Sequence, residues 1–307
     1  MKNILVTGGA GYKGTVLVDA LLKKGFNVTI YDNFMYGYTP VLGFAGHKNF
    51  HVIKKDIRNI DKEDLKNSDM IYHLAAISGY PACEANPHSA QTINVASTAR
   101  LVELLSKSQV LVYASTTSMY GRDGKQQDEA SIPSPTSLYG RTKQEAEKIC
   151  LQHQNCVSLR FATVFGPSRK MRTDLLLNDF IYKAVTEKSI ILFDAKSVRT
   201  FIHIRDAIKA YLIVTENLEK MTGKIYNVGS NTLNYSKEQI AHIIKTQLPE
   251  TVIINSTLAD PDRRDFIINF DKIAGLGYKT EISLELGVEE LIQLYSWFRH
   301  YSPFSTI

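Results

Sequence analysis

The sequence predicts an α/β fold, a doubly wound parallel sheet wrapped by helices, with a smaller mixed lobe towards the C-terminus. Three observations predict it. Short, nearly continuous apolar runs recur at 3–6, 27–31, 51–54, 70–74, 110–114 and 157–160, as strands buried on both faces do. Amphipathic stretches at 14–24, 89–106 and 138–153 separate several of them, and such alternation builds parallel sheets. After Gly166-Pro167 the alternation lapses: 168–198 reads as loop and helix, 199–204 and 224–228 as single strands, and the chain from Thr232 as helices around the loop Asp260-Pro261-Asp262-Arg263-Arg264. The expected division is a larger domain over 1–167 with returning segments at about 199–230, and a smaller lobe from 168–198 and 231–307.

The junction of the first strand and first helix reads Thr7-Gly8-Gly9-Ala10-Gly11-Tyr12-Lys13-Gly14. Glycines at Gly8, Gly11 and Gly14 let the backbone turn tightly against a pyrophosphate, whose charge the helix N-terminus stabilises. Asp32 ends the second strand, eighteen residues past Gly14. An acid there accepts hydrogen bonds from an adenosine ribose and repels a 2′-phosphate, so this Rossmann-type unit is expected to take NAD rather than NADP. Lys13 leaves three readings open: contact with the pyrophosphate, a counter-charge to Asp32 that would admit NADP, or a solvated lysine at the helix start.

Composition narrows the partners. With 22% charged residues and a net charge of +5, the Lys and Arg are scattered rather than blocked, which favours anionic small molecules over nucleic acid. Cys83, Cys150 and Cys156 are too few and dispersed for a disulfide frame or a metal site, so no metal is expected and a reducing, cytoplasmic setting is. No apolar run is long enough for a bilayer.

Tyr139 and Lys143 stand four residues apart in a helical stretch, which places both on one face. An ammonium beside a phenol lowers the phenol's pKa towards neutrality, the condition for a tyrosinate general base acting on an alcohol.

With the glycine loop, the hydroxyl-rich Ser115-Thr116-Thr117-Ser118 and Tyr139-x-x-x-Lys143 in this order, the sequence resembles the extended short-chain dehydrogenases/reductases, within them the nucleotide-sugar epimerase/dehydratase branch. The resemblance covers nearly the whole chain. It includes Asp56-Ile57-Arg58, His73-Leu74-Ala75-Ala76, Asn94, Tyr120-Gly121 and Arg199-Thr200-Phe201-Ile202-His203. It implies a catalytic set of Thr116, Tyr139 and Lys143, with Ser115 or Thr117 as the hydroxyl if the alignment slips by one residue, and a homodimer or larger assembly. The NAD contacts it implies are Gly8, Gly11, Tyr12, Lys13, Gly14, Asp32, Asn33, Asp56, Ile57, Leu74, Ala75, Ala76, Asn94, Tyr139 and Lys143. At the substrate it implies Gly79, Tyr80, Thr116, Thr163, Asn178, Arg199 and Arg264, with Arg263 as the alternative to Arg264. The implied activity is NAD-dependent oxidation at C4 of a nucleoside-diphosphate sugar for surface-polysaccharide synthesis, as a 4-epimerase or a net 4-dehydrogenase, on a substrate extending to GDP-linked sugars or heptoses. An NADPH-dependent ketosugar reductase and a non-catalytic dinucleotide sensor are the alternatives.

Two departures bear on the reaction. Thr117-Ser118 stands where relatives that eliminate water have an Asp-Glu pair, which argues against a 4,6-dehydratase. Thr163 stands where many epimerases have a substrate-contacting Asn.

Overall fold

A computed structural model describes residues 2–260, 262 and 264–299. Arg263 and Pro261 of the loop read above lie outside the described residues. Seven strands form one parallel sheet, ordered Lys224–Val228, Cys156–Phe161, Val110–Thr116, Met70–His73, Asn3–Thr7, Asn27–Asp32 and Phe50–Lys54. Counted along the chain this is 7-6-5-4-1-2-3, so the order reverses between the first and fourth strands. There the crossovers leave to opposite sides and a crevice opens at the strands' carboxyl ends.

Alternation along each strand makes two cores. Ile4 and Val6 face the helices Tyr12–Lys23 and Ile204–Glu216, while Leu5 faces Ser97–Leu104 and Leu138–Cys150. Each core side chain such as Leu5, fully buried, contributes about 1.5–3 kcal/mol. A third cluster, around Phe165, Phe180, Ile240 and Leu291, packs the C-terminal elements together. Among the described residues no helix is long and apolar enough to cross a membrane, and no group of His, Cys, Asp or Glu is arranged to hold a metal ion.

The expected helix over 89–106 is interrupted. Helical turns at Pro87–Gln91 and Ser97–Leu104 flank a π-helical turn at Thr92–Ala96, a form frequent at functional sites. Several short strands escape the apolar pattern: Arg122–Gln127, Thr163–Phe165, Ser189–Leu192, Asn234–Ser236, Val252–Asn255 and Asp265–Ile268. Each pairs with a segment distant in sequence, as Arg122–Gln127 does with Asp265–Ile268. Val198–His203 joins Thr163–Phe165 and Asn234–Ser236 in a separate three-stranded sheet.

Candidate active site

The glycine loop lies at the sheet's crevice. Gly8 adopts φ 69°, a conformation other residues rarely enter. A Cβ on Gly14 would stand 2.3 Å from the Gly8 carbonyl oxygen, so only glycine lets the first helical turn lie against the loop. Gly11 caps the helix Tyr12–Lys23 and lines the cleft with Gly8 and Gly14. Thr7 stitches the first strand to the fourth, its Oγ1 accepting from the N–H groups of Leu74 and Ala75, both at 3.2 Å. Its hydroxyl also bonds His73 Nδ1 at 2.7 Å. Burial lowers the His73 pKa to about 3, keeping this ring neutral.

Asp32 is anchored for its expected task. It accepts from the N–H groups of Ala10 (3.0 Å) and Phe34 (2.8 Å) while its carboxylate lines the cleft. Asn33, Asp56, Ile57, Leu74, Ala75 and Ala76 line the same end. Asp56 is held by Arg58 through two hydrogen bonds of 2.8 Å, which lowers its pKa to about 2.

At the other end stand Thr116, Tyr139 and Lys143, with Gly79, Tyr80, Thr163 and Arg264. The helix Leu138–Cys150 starts where the Ser137 hydroxyl accepts from Gly140 N–H at 3.1 Å. Gly140 lets that helix close on the hydroxyl segment, since a Cβ there would meet Pro135 at 2.9 Å and the Ser118 carbonyl at 3.1 Å. Tyr139 and Lys143 thereby face the cleft beside Thr116. Further along the helix, Glu147 takes Arg160 of the sixth strand in a buried ion pair at 2.6 Å and accepts from Ser158 at 2.7 Å. Burial opposes the Arg160 charge, and Glu147 outweighs it and raises the pKa.

The charge state at Tyr139 corrects the sequence reading. Burial in the cleft wall raises the phenol's pKa above its usual value, and the hydroxyls of Ser78 and Thr116 and the charge of Arg172 only partly oppose this. Lys143 does not bring the phenol to neutrality, because desolvating a phenolate costs more than these neighbours return. Burial also lowers the pKa of Lys143 itself to about 8, and that of Lys13 to about 7 with help from Lys143 and Arg172. Lys13 Nζ sits 4.2 Å from the centre of the Phe161 ring, and Lys143 Nζ 4.1 Å from that of Tyr113.

A lysine whose pKa falls on folding costs stability wherever it is charged. For Lys13 the cost is complete below about pH 7 and disappears as pH rises from there towards the unfolded value near 10.4. Lys13→Met is therefore expected to raise the melting temperature of the ligand-free protein at about pH 6, by a free energy on the order of 1 kcal/mol after allowance for solvent. Thermal melts of both proteins should converge towards pH 10, and a constant difference would contradict this.

Three of the expected site residues do not line the cleft. Asn94 clamps its wall instead: its Oδ1 accepts from Ile77 N–H at 2.8 Å, and its Nδ2 donates to the Ile77 carbonyl and to Thr142, both at 3.0 Å. That joins the wall to the Tyr139 helix. Asn178 accepts from Gly166 N–H at 3.1 Å and donates to the Arg172 carbonyl at 2.7 Å. Arg199 is buried and donates to the Asp262 carbonyl at 2.7 Å, which supports the loop bearing Arg264. Tyr12 lines the cleft and donates to the Gly166 carbonyl at 2.7 Å.

The structure also adds residues that sequence reasoning missed. Arg172 is bound to Asp174 through two hydrogen bonds, one of 2.7 Å, and donates to the Ser78 carbonyl at 3.3 Å. It thus spans the cleft beside Tyr139. Ser118 accepts from Arg264 at 2.6 Å and from Thr116 at 3.0 Å. Lys170 lies over Tyr36, 5.1 Å from its ring centre. The cations in 168–172 were the one available signal, and nothing in their spacing says which face inward. Cys83 is buried, bonds the Ile77 carbonyl at 3.4 Å and has its thiol pKa raised to about 11 by burial, so it supplies no ready acid–base group.

Comparison with known proteins agrees with this geometry. Residues 4–229 match the model of the NAD dependent epimerase/dehydratase family. A UDP-glucose epimerase of Bacillus subtilis, the uncharacterised YtcB, is 33% identical over 294 residues, 89% of this chain and 86% of its own. UDP-glucuronate 4-epimerase 4 of Arabidopsis thaliana is 27% identical, across 95% of this chain and 75% of its own. Among solved structures, UDP-glucuronic acid 4-epimerase from Bacillus cereus in complex with UDP-glucuronic acid and NAD superposes with a TM-score of 0.84 at 27% identity, covering 96% of this chain and 99% of that one. The glycine cradle, the anchored Asp32 and Lys143 suit NAD, which the Bacillus cereus structure holds and the family's name specifies. By its fold, its family-model match and the cleft that unites its glycine loop with Tyr139 and Lys143, the chain belongs to the NAD-dependent epimerase/dehydratase family, as an enzyme of the extended short-chain dehydrogenase/reductase type.

Proposed function

We propose that this enzyme is a 4-epimerase of a nucleoside-diphosphate sugar, and that UDP is the carrier. The observation that carries the reading is the convergence of Thr116, Tyr139 and Lys143 in one cleft with the glycine loop and Asp32. UDP is favoured by the named activities of similar proteins.

NAD, when bound, accepts the hydride from the sugar carbon that bears the reacting hydroxyl. Thr116 orients that hydroxyl by hydrogen bonding, and Tyr139 takes its proton as general base. Lys143 holds the cofactor ribose and opposes protonation of the phenol. To Arg264, which is paired with Asp262 and donates to Ser118, we assign the anionic diphosphate. Epimerisation would require Tyr139 to return the proton to a ketosugar that has turned its other face to the cofactor. No carboxylate pair follows Thr116: Thr117 donates to the Phe161 carbonyl at 3.2 Å and Ser118 is held by Arg264, so neither supplies an acid for dehydration. A net 4-dehydrogenase would use the same residues and stop at the ketosugar. We further propose a homodimer formed through the helices Ser97–Leu104 and Leu138–Cys150, which solution mass would test.

The test is incubation with UDP-, GDP-, CDP- and dTDP-sugars. Inversion at C4 with no net NADH is the expected result, and ketosugar accumulating with stoichiometric NADH would replace this reading by the dehydrogenase. Cofactor selectivity gives a separate check. Asp32→Ala is expected to erode a preference for NAD over NADP of at least about tenfold, because a carboxylate repels a 2′-phosphate. Equal affinities in the unaltered protein would refute the role given to Asp32.

A further inference from the structure

Lys13 has a backbone in the glycine cradle and a side chain elsewhere. Its Nζ lies over the Phe161 ring, and Phe161 is paired in register with Thr116 across the fifth and sixth strands. Asp32, by contrast, is anchored on Ala10 and Phe34 at the far end. Lys13 therefore points to the catalytic end of the cleft and does not serve as a counter-charge to Asp32. Burial and the charges of Lys143 and Arg172 all act against its protonated form. Glu147, the carboxylate acting on Lys143, is already bound to Arg160. Two ammonium groups thus share the catalytic end of the cleft, each resting on an aromatic ring rather than on a carboxylate of its own.

We propose that Lys13, acting with Lys143, biases this site towards the reduced cofactor and is a positioning residue for redox poise rather than a pyrophosphate contact. The inference rests on the reading that NAD receives the hydride beside Tyr139. Two electrons and one hydrogen leave the sugar carbon as hydride and the hydroxyl proton passes to Tyr139, so the nicotinamide ring goes from one positive charge to none. Cations beside the ring disfavour its charged form and leave the neutral form untouched. The ketosugar is then held with a cofactor that the site retains, as a turning intermediate requires.

The experiment measures dissociation constants of NAD+, NADH and ADP-ribose for the full chain freed of cofactor, at about pH 6. The unaltered protein, Lys13→Met and Lys13→Arg are compared. A unit charge close to the ring in a partly dry cleft is worth about a tenfold factor. Lys13→Met is expected to lower the preference for NADH over NAD+ about tenfold while ADP-ribose binding stays within about twofold, and Lys13→Arg is expected to keep the preference. An unchanged NADH-to-NAD+ ratio in Lys13→Met overturns the proposal. So does an equal loss for all three ligands, which marks a pyrophosphate contact. Failure of the unaltered protein to bind either nicotinamide form would instead remove the underlying cofactor reading, an outcome distinct from an unchanged ratio.

Discussion

Tyr139→Phe is expected to lower turnover about 10³-fold while NAD remains bound and the melting temperature stays close to that of the unaltered protein. General-base catalysis contributes about 10²–10⁴-fold, and Phe removes only the oxygen that takes the proton. The ring stays in the cleft wall, and the Asn94 clamp and the Ser137 cap of its helix do not involve the phenol. Single-turnover reduction of bound NAD by sugar isolates the oxidation step, and undiminished rates there would dismiss Tyr139 as the base. The same measurement has a pH signature. Burial holds the phenol pKa above its usual value in the ligand-free cleft, so the phenolate has to be stabilised by the positive ligand and by Lys143. Lys143 loses its own proton through about pH 8 in that state. Lys143 remains in Tyr139→Phe, so any residual rate should keep only the pH dependence that this lysine imparts.

Glu147→Ala is expected to destabilise the fold by about 3–5 kcal/mol, the usual cost of leaving one partner of a buried ion pair uncompensated. Arg160 and Glu147 are each 3% exposed, so water cannot replace the lost carboxylate. Arg160 would keep only Tyr120, whose hydroxyl accepts from it at 2.7 Å. Urea unfolding measures the loss, and Glu147→Gln, which retains a hydrogen-bond acceptor, should cost less. A change below about 1 kcal/mol for Glu147→Ala would show that the pair is not what pins the Tyr139 helix to the sheet. Because that helix also bears Lys143, activity should fall together with stability.

The parts of the site legible in the sequence are those set by local spacing. The glycine loop, the following helix and Asp32 belong to one strand–turn–helix–strand unit, and their geometry needs little from the remainder of the chain. Tyr139 and Lys143 share a face because the helix repeat puts them there. Arg172 and Ser78 were not legible, since their approach to Tyr139 depends on loops brought in from separate regions, and nothing in the sequence pairs Ser118 with Arg264. The short strand Asp265–Ile268 was hidden for the same reason: its partner, Arg122–Gln127, lies far along the chain. Asn178 and Arg199 show the converse. Both were expected at the substrate, yet their polar atoms are engaged by the Gly166 turn and the Asp262 loop.

By itself, then, the sequence determined the alternation of strand and helix, the phosphate cradle and the Tyr–Lys pair, each a matter of neighbours in the chain. Only the tertiary structure decided how those groups are charged and what reaches them. It raised the Tyr139 phenol, lowered Lys143 and Lys13, turned Lys13 towards Phe161, and brought Arg264 to Ser118 across 146 residues. Desolvation and Coulomb interactions act through space, so they are set by what packs opposite a residue and not by what stands beside it in sequence.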